Sequence, residues 1–333
     1  MRKRFLFSVI LFTVLVTVGL GAVQGHAGKF KILVVMSYEE TFPWCQEIKL
    51  GIENIFSPLH QITFFYMDTK INLQQGPKKA EQAFDLFQAI QPDGVIAADD
   101  NAQSMFVVPY LKAKVATPVM FCGVNAQPEL YGYPARNVSG ILERLHIAET
   151  IAFAQQLVPS IKTVGFIAKD SPAVRALQEQ VNREYTTYSA NCVGFKMPAT
   201  QQDTLSMAKE LKGLCGLLFM ETLQGVTDAG GRPLEEKEIM PQVAETFEKP
   251  VVGSNLYAVR FAALCAVVKT GREQGATAAR MLLKAMQGTS VDQIPITVNK
   301  YGKRYINATV MRKMGIKPKP IVLQGAKLVR TQE

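Results

Sequence analysis

From residue 31 the chain alternates two kinds of segment. Short, nearly continuous apolar runs are followed by longer stretches whose apolar residues recur every three or four positions. Lys31–Ser37 (KILVVMS), Ile62–Asp68 (ITFFYMD), Gly94–Asp100 (GVIAADD) and Thr117–Gly123 (TPVMFCG) read as buried strands. Between them, Pro43–Ser57 carries Ile48, Ile52, Ile55 and Phe56 at helical spacing. Gln74–Ile90 sets Ala80, Ala83, Phe84 and Phe87 on one face, and Asn101–Leu111 continues the helical pattern. Apolar strands joined by helices predict a parallel sheet covered on both faces. Right-handed connections make such a sheet doubly wound.

Residues 124–141 (VNAQPELYGYPARNVSGI) break the rhythm with prolines, tyrosines and turn formers, which predicts a passage to a second lobe. The alternation then restarts. Thr163–Lys169, Val193–Met197, Gly216–Glu221, Val251–Ser254 and Leu264–Val268 read as strands. Ile147–Leu157, Ala173–Tyr188, Gln201–Leu211, Glu235–Phe247 and Arg272–Met286 read as helices. Residues 295–333 add one or two short strands and a helix near Val310–Met314. The fold class is therefore α/β, with two doubly wound parallel-sheet lobes in tandem. At 333 residues the chain is long enough for two cores.

The first 27 residues stand outside this pattern. Arg2, Lys3 and Arg4 precede an uncharged apolar run from Phe5 to Leu20, and Gly25-His26-Ala27 supplies small residues for cleavage. That layout is a secretory signal peptide, so the mature protein is expected in the periplasm. The alternative is an uncleaved anchor, since Phe5–Val23 is just long enough to span. Cleavage after Ala27 lowers the net charge from +9 to +6, because the leader holds three basic and no acidic residues. The basic excess near Lys300–Arg304 and Arg312–Lys319 then reads as a solvated face, not a nucleic-acid surface. Five cysteines are too few for a disulfide scaffold, and an odd number leaves at least one outside any intrachain pair. Cys122, Cys215 and Cys265 lie in apolar runs, so no structural disulfide is expected. Three scattered histidines supply neither a metal site nor a hydrolytic triad.

Ligands of open parallel sheets bind beyond the carboxyl ends of the strands. The segments there are polar. In the first half they hold Ser37, Tyr38 and Trp44, then Asp99, Asp100 and Asn101, then Gly123 and Asn125. In the second half they hold Asp170 and Ser171, then Glu221, then Ser254, Asn255 and Tyr257. Singly, Asp100, Asp170 and Ser254 also fit helix N-caps, and Trp44 also fits a packing role. Together they fit convergence on a cleft, where free N–H groups at helix starts meet a carboxylate and an acid meets an amine. Ser37 and Tyr38 are assigned to the ligand's polar end and Trp44 to its apolar body. No G-x-S-x-G, Walker, H-E-x-x-H or C-x-x-C pattern occurs, so no catalytic residue, metal or cofactor is assigned.

The opening KILVVMSYEETFPWCQEIKLGIE resembles that of ABC transporter substrate-binding proteins of the tryptophan/tyrosine type, whose members commonly open with a strand, a Ser-Tyr loop and a Pro-Trp. GVIAADDNA, TPVMFCGVN, IKTVGFIAKDSPAV, KPVVGSN and YINATVMRKMGIKPKP resemble later pieces of the family, in order, over about residues 30–320. One departure is Glu39, where members often carry His. The resemblance implies a type I periplasmic-binding-protein architecture, with lobes joined by a hinge of three crossovers, and no enzymatic activity. It places residues 28–124 and about 271–288 in the first lobe, and about 140–268 and 300–333 in the second. The crossovers then fall near 125–139, 268–271 and 288–300. The function implied is a monomeric periplasmic receptor binding a small polar or amino-acid-like ligand, aromatic ones included. Its partner would be an ABC permease, or a separate membrane sensor kinase. A secreted hydrolase using cleft carboxylates is the rival reading.

Overall fold

The computed structural model of the chain describes residues 29–56 and 58–332. The expected leader and its cleavage site lie outside the described residues. Among the described residues, no helix is long and apolar enough to cross a membrane.

Two sheets, each covered by helices on both faces, form the centres of the two lobes. In chain order the strands are β1 (Lys31–Met36), β2 (Gln61–Tyr66), β3 (Gly94–Ala98), β4 (Val119–Val124), β5 (Val138–Leu142), β6 (Thr163–Ile167) and β7 (Asn191–Lys196). They continue with β8 (Leu217–Met220), β9 (Val251–Val252), β10 (Cys265–Val268), β11 (Thr297–Val298), β12 (Lys303–Asn307) and β13 (Ala326–Val329). The first sheet runs β11-β5-β4-β3-β1-β2, and all its pairings are parallel. The second runs β13-β12-β10-β9-β8-β6-β7, parallel except where β10 meets β12.

The helices are α1 (Pro43–Phe56), α2 (Gly76–Ile90), α3 (Asp99–Ala102), α4 (Ile147–Leu157), α5 (Pro172–Glu184), α6 (Gln201–Leu214), α7 (Glu236–Phe247), α8 (Leu256–Phe261), α9 (Gly271–Met286), α10 (Ala308–Lys313) and α11 (Pro320–Leu323). The helix expected over 101–111 is α3 running into a π-helical stretch through Leu111, with Pro109 inside it. Successive strand side chains point to opposite faces, which sorts each apolar run into two cores. Leu33, Val35, Val95 and Phe121 pack with Phe106 and α2. Ile32, Val34, Ile96 and Met120 pack with Ile48 and Ile52 of α1 and Leu282 of α9. In the second sheet, Val164, Phe166 and Phe219 face α4 and α5, while Ile167, Leu218 and Met220 face α6 and α7. All five cysteines are free.

The first crossover, expected near 125–139, and the third, expected near 288–300, both fall later in the chain. Val138–Leu142 is not part of a crossover: it is a fifth strand of the first sheet, buried at every position. Its polar Ser139 hides there because its Oγ donates to the Ile294 carbonyl at 2.6 Å. Turn formers around this short run masked it. The chain thus leaves the first sheet at residues 143–146. It returns at 269–270 to place α9 on the first sheet. It leaves again at 299–302, after β11 pairs with β5.

Helices α1 and α9, far apart in sequence, press backbone to backbone. A Cβ at Gly275 would overlap the Ile48 carbonyl oxygen, and one at Gly51 the Arg272 carbonyl oxygen. This contact fastens the segment after the second crossover to the first lobe. Gly275→Ala is expected to cost about 1–3 kcal/mol, the range for overfilling a packed interior. Urea unfolding measures it, and an unchanged midpoint would mean the helices part freely.

Candidate functional site

A cavity of about 290 Å³ opens between the lobes. The segment after β4 supplies Asn125 and Gln127, and the first crossover supplies Glu143, Arg144 and Leu145. The ends of β8 and β9 supply Glu221, Thr222, Asn255 and Tyr257. Helix α5 lends Val174, Leu177, Gln180 and Arg183, and the second crossover Lys269.

Glu221 is the acidic centre of the second-lobe wall. Its carboxylate accepts from Ser254 Oγ, from Asn255 Nδ2 at 2.7 Å and from Tyr257 Oη at 3.3 Å. Burial raises its pKa, while the Ser254 hydrogen bond and the charge of Lys269 pull the other way. Ser254 is itself buried, so its role is to orient Glu221. Glu143, also buried, forms an ion pair with Lys269 that links the first and second crossovers.

Four of the sequence-assigned residues line the cavity: Asn125, Glu221, Asn255 and Tyr257. The others serve elsewhere. Ser37, assigned to a ligand's polar end, is fully buried; it donates to the Ala98 carbonyl at 2.6 Å and accepts from the Ala102 N–H at 2.8 Å. That corrects the assignment, because its hydroxyl is used in joining β1 to the start of α3. Tyr38 packs edge-on against Phe42, with the Lys70 ammonium over both rings. Asp100 braces the segment after β4, accepting from Asn125 N at 3.0 Å, Ala126 N at 3.2 Å and Tyr131 Oη at 2.8 Å. Asn101 donates to Thr69 Oγ1 at 2.9 Å. Asp170 is exposed and ion-paired with Arg175 at 2.8 Å, and Ser171 caps α5 by accepting from Val174 N at 3.2 Å. Ser171, assigned to the ligand site and not to a cap, is thus the N-cap of α5. The cap reading offered for Asp170 is corrected to a surface ion pair.

Trp44 donates its Nε1–H to Asp99 Oδ1 at 2.8 Å. It anchors a buried acid and lies outside the cavity lining. Asp99 is 2% exposed, has φ +69°, and leaves Oδ2 without a hydrogen-bond partner. Gly123, at φ +68°, lies against it: a Cβ there would stand 2.6 Å from Asp99 Oδ1. Only glycine meets both demands. Burial first, and then the charge of Glu143, push the Asp99 pKa well above the usual carboxylate range.

The charged and amide-bearing cavity residues that strand-end reasoning missed are Gln127, Glu143, Arg144, Gln180, Arg183 and Lys269. They lie on the crossovers, on the long segment after β4 and on the flank of α5. Among the described residues, no group of three metal-ligating side chains occurs.

A carboxyl whose pKa rises on folding binds its proton more tightly in the folded state. Its contribution to stability therefore falls as pH climbs above its unfolded value, 3.8 for Asp99. The protein should accordingly lose stability relative to an Asp99→Asn variant as pH rises above about 4. Urea unfolding of both across that range checks it, and parallel curves would refute a protonated Asp99.

The family model for ABC transporter substrate binding proteins matches residues 70–330. A tyrosine-binding protein from Clostridioides difficile is 24% identical over 213 residues, a match spanning 64% of this chain and 58% of that protein. A substrate-binding protein with adhesive properties from Clostridium difficile, in a ligand-free open structure, shares the fold with TM-score 0.67 at 18% identity. The match covers 91% of this chain and all of that one. An ABC domain from Streptococcus pneumonia in complex with L-Trp superposes with TM-score 0.57 at 18% identity, over 91% of this chain and all of that one. A periplasmic ribose ABC transporter structure from Conexibacter woesei gives 0.51 at 18% identity, over 87% and 95%. The chain belongs to the ABC transporter substrate-binding protein family.

Proposed function

We propose that the protein is a periplasmic receptor that closes its lobes on an amino-acid-like ligand and presents it to an ABC permease. The observation that carries this reading is the cavity between the lobes, with the buried, oriented Glu221 carboxylate on its wall. A buried carboxylate held by neutral donors suits a ligand ammonium, through a charge-assisted hydrogen bond. Val174 and Leu177 offer an aliphatic surface and Tyr257 an aromatic one. The relatives named for tyrosine and L-Trp support the same ligand class. Export rests on residues 1–27, read as a leader. The rival hydrolase has less support: Glu143 is engaged by Lys269, and Glu221 accepts three hydrogen bonds.

A thermal-shift panel of the common L-amino acids, with D-ribose as the neutral control, tests this. A matching ligand at 100 times its Kd should add about 2.7 kcal/mol of stability and be recovered unchanged. Glu221→Gln should fold and weaken that ligand by about 2–5 kcal/mol. No response to any amino acid, or turnover of one, would sink the proposal.

A further inference from the structure

We infer that Arg144 and Arg183 form an anion-recognition pair that takes the ligand's carboxylate and joins the lobes through it. The inference rests on the cleft being the ligand site.

Both side chains line the cavity. Arg144 comes from the first crossover and Arg183 from α5 of the second lobe. Neither has a carboxylate within ion-pair distance among the described residues, whereas Lys269, the other cation of the cavity, is paired with Glu143. Arg144 Nη1 donates to the carbonyls of Val124 at 3.3 Å, Asn125 at 2.9 Å and Glu143 at 2.7 Å. These contacts fix the guanidinium without neutralising it. Arg183, with the Gln127 amide turned to satisfy both groups, donates Nη1–H and Nη2–H to its oxygen at 3.2 and 3.0 Å. Gln127 belongs to the first lobe, so this neutral contact already crosses the cleft.

The two cations also repel each other. Burial first, and then the charge of Arg183, lower the Arg144 pKa. A carboxylate accepted at this place relieves the repulsion and gains charge-assisted hydrogen bonds, for which the planar guanidinium fork is well shaped. Because Arg183 and Arg144 sit on different segments, an anion held by both ties α5 to the hinge. A neutral sugar gains neither effect. The cleft thus has an acid at Glu221 for a cation and an arginine pair for an anion, which together match a zwitterion.

Arg183→Gln is the variant of choice. Arg183 is exposed and supports no backbone, unlike Arg144. In the first arm, L-tyrosine, L-tryptophan and L-leucine are titrated by calorimetry into both proteins, alongside their carboxamides. For an amino acid that binds, the amide should bind wild type about 30-fold more weakly or worse, and that gap should shrink at least about 10-fold in Arg183→Gln. Equal binding of acid and amide, or an unchanged gap in the variant, overturns the inference and leaves the receptor reading standing. If none of the amino acids binds, the amino-acid reading fails and a second arm decides the inference. Melting temperature is followed in rising sodium malonate against sodium chloride at fixed ionic strength. Malonate should stabilise the wild type at least twice as strongly as Arg183→Gln, a ratio set by losing one of two charged partners. Identical responses overturn the arginine pair.

Discussion

A buried hydrogen-bonded junction where the start of α9 meets the first and third crossovers is the constraint on which the two-lobe architecture depends. Gln274, at the start of α9 and fully buried, accepts from the Gly123 N–H at 2.9 Å. It donates to the Leu142 carbonyl at 3.2 Å and to Asn299 Oδ1 at 3.4 Å. Asn299, in the third crossover, accepts from Arg144 N at 2.7 Å and donates to the Arg144 carbonyl at 3.0 Å. His146 Nε2 lies 3.0 Å from Asn299 Nδ2 and accepts from it. Two amides thus stitch the end of β4, the first crossover and the third. Backbone leaving a sheet in the interior must find partners, or each group costs about 1–3 kcal/mol. The junction supplies them from side chains and needs no further strand.

The same arrangement explains how a hinge can be well defined yet bend. Amide hydrogen bonds between short irregular segments tolerate small changes of backbone angle, unlike a sheet ladder. The Glu143–Lys269 ion pair bridges two of these segments at the cavity wall. A buried ion pair adds little net stability but penalises geometries that separate its charges. It therefore favours arrangements in which the first and second crossovers move together. Hinge closure of two lobes is a common motion of such folds, and a few segment-terminal residues absorb it.

Much of the architecture is legible in the sequence because parallel strands covered on both faces must be apolar throughout. KILVVM and VMFCGV show this directly. The fifth strand escaped because NVSGI is short, begins after a Pro and contains Ser and Gly. Its burial depends on a distant carbonyl at Ile294, which no local pattern reveals. The strand-end rule reached Glu221, Asn255, Tyr257 and Asn125. It could not separate these from Ser37, Asp100 and Asn101, because all are polar residues at equivalent junctions. What divides them is whether a neighbour satisfies them, a tertiary property. Arg144 and Lys269 went unseen because a crossover has no periodicity to mark it, and Arg183 because an exposed arginine on a helix resembles any solvated one.

The two lobes contribute unequally to the cavity. In the first lobe the strand-end polar groups are largely engaged with one another: Ser37 with the start of α3, Asn101 with Thr69, Asp100 with the segment after β4, Trp44 with Asp99. Those contacts hold adjacent strand ends in one shape, including the two left-handed residues Asp99 and Gly123. The strain at Asp99, a non-glycine residue with positive φ, persists only where surrounding structure over-determines it. The second lobe and the crossovers instead bring Glu221, Tyr257, Arg144 and Arg183 to the cavity, where each retains hydrogen-bonding or charge capacity. A preorganised wall facing a wall with unspent polar capacity is a sound division for a receptor. Under the proposed receptor function, ordering costs are met once, during folding, and the interactions left for a ligand would be charge-assisted ones that a closing cleft strengthens by excluding water.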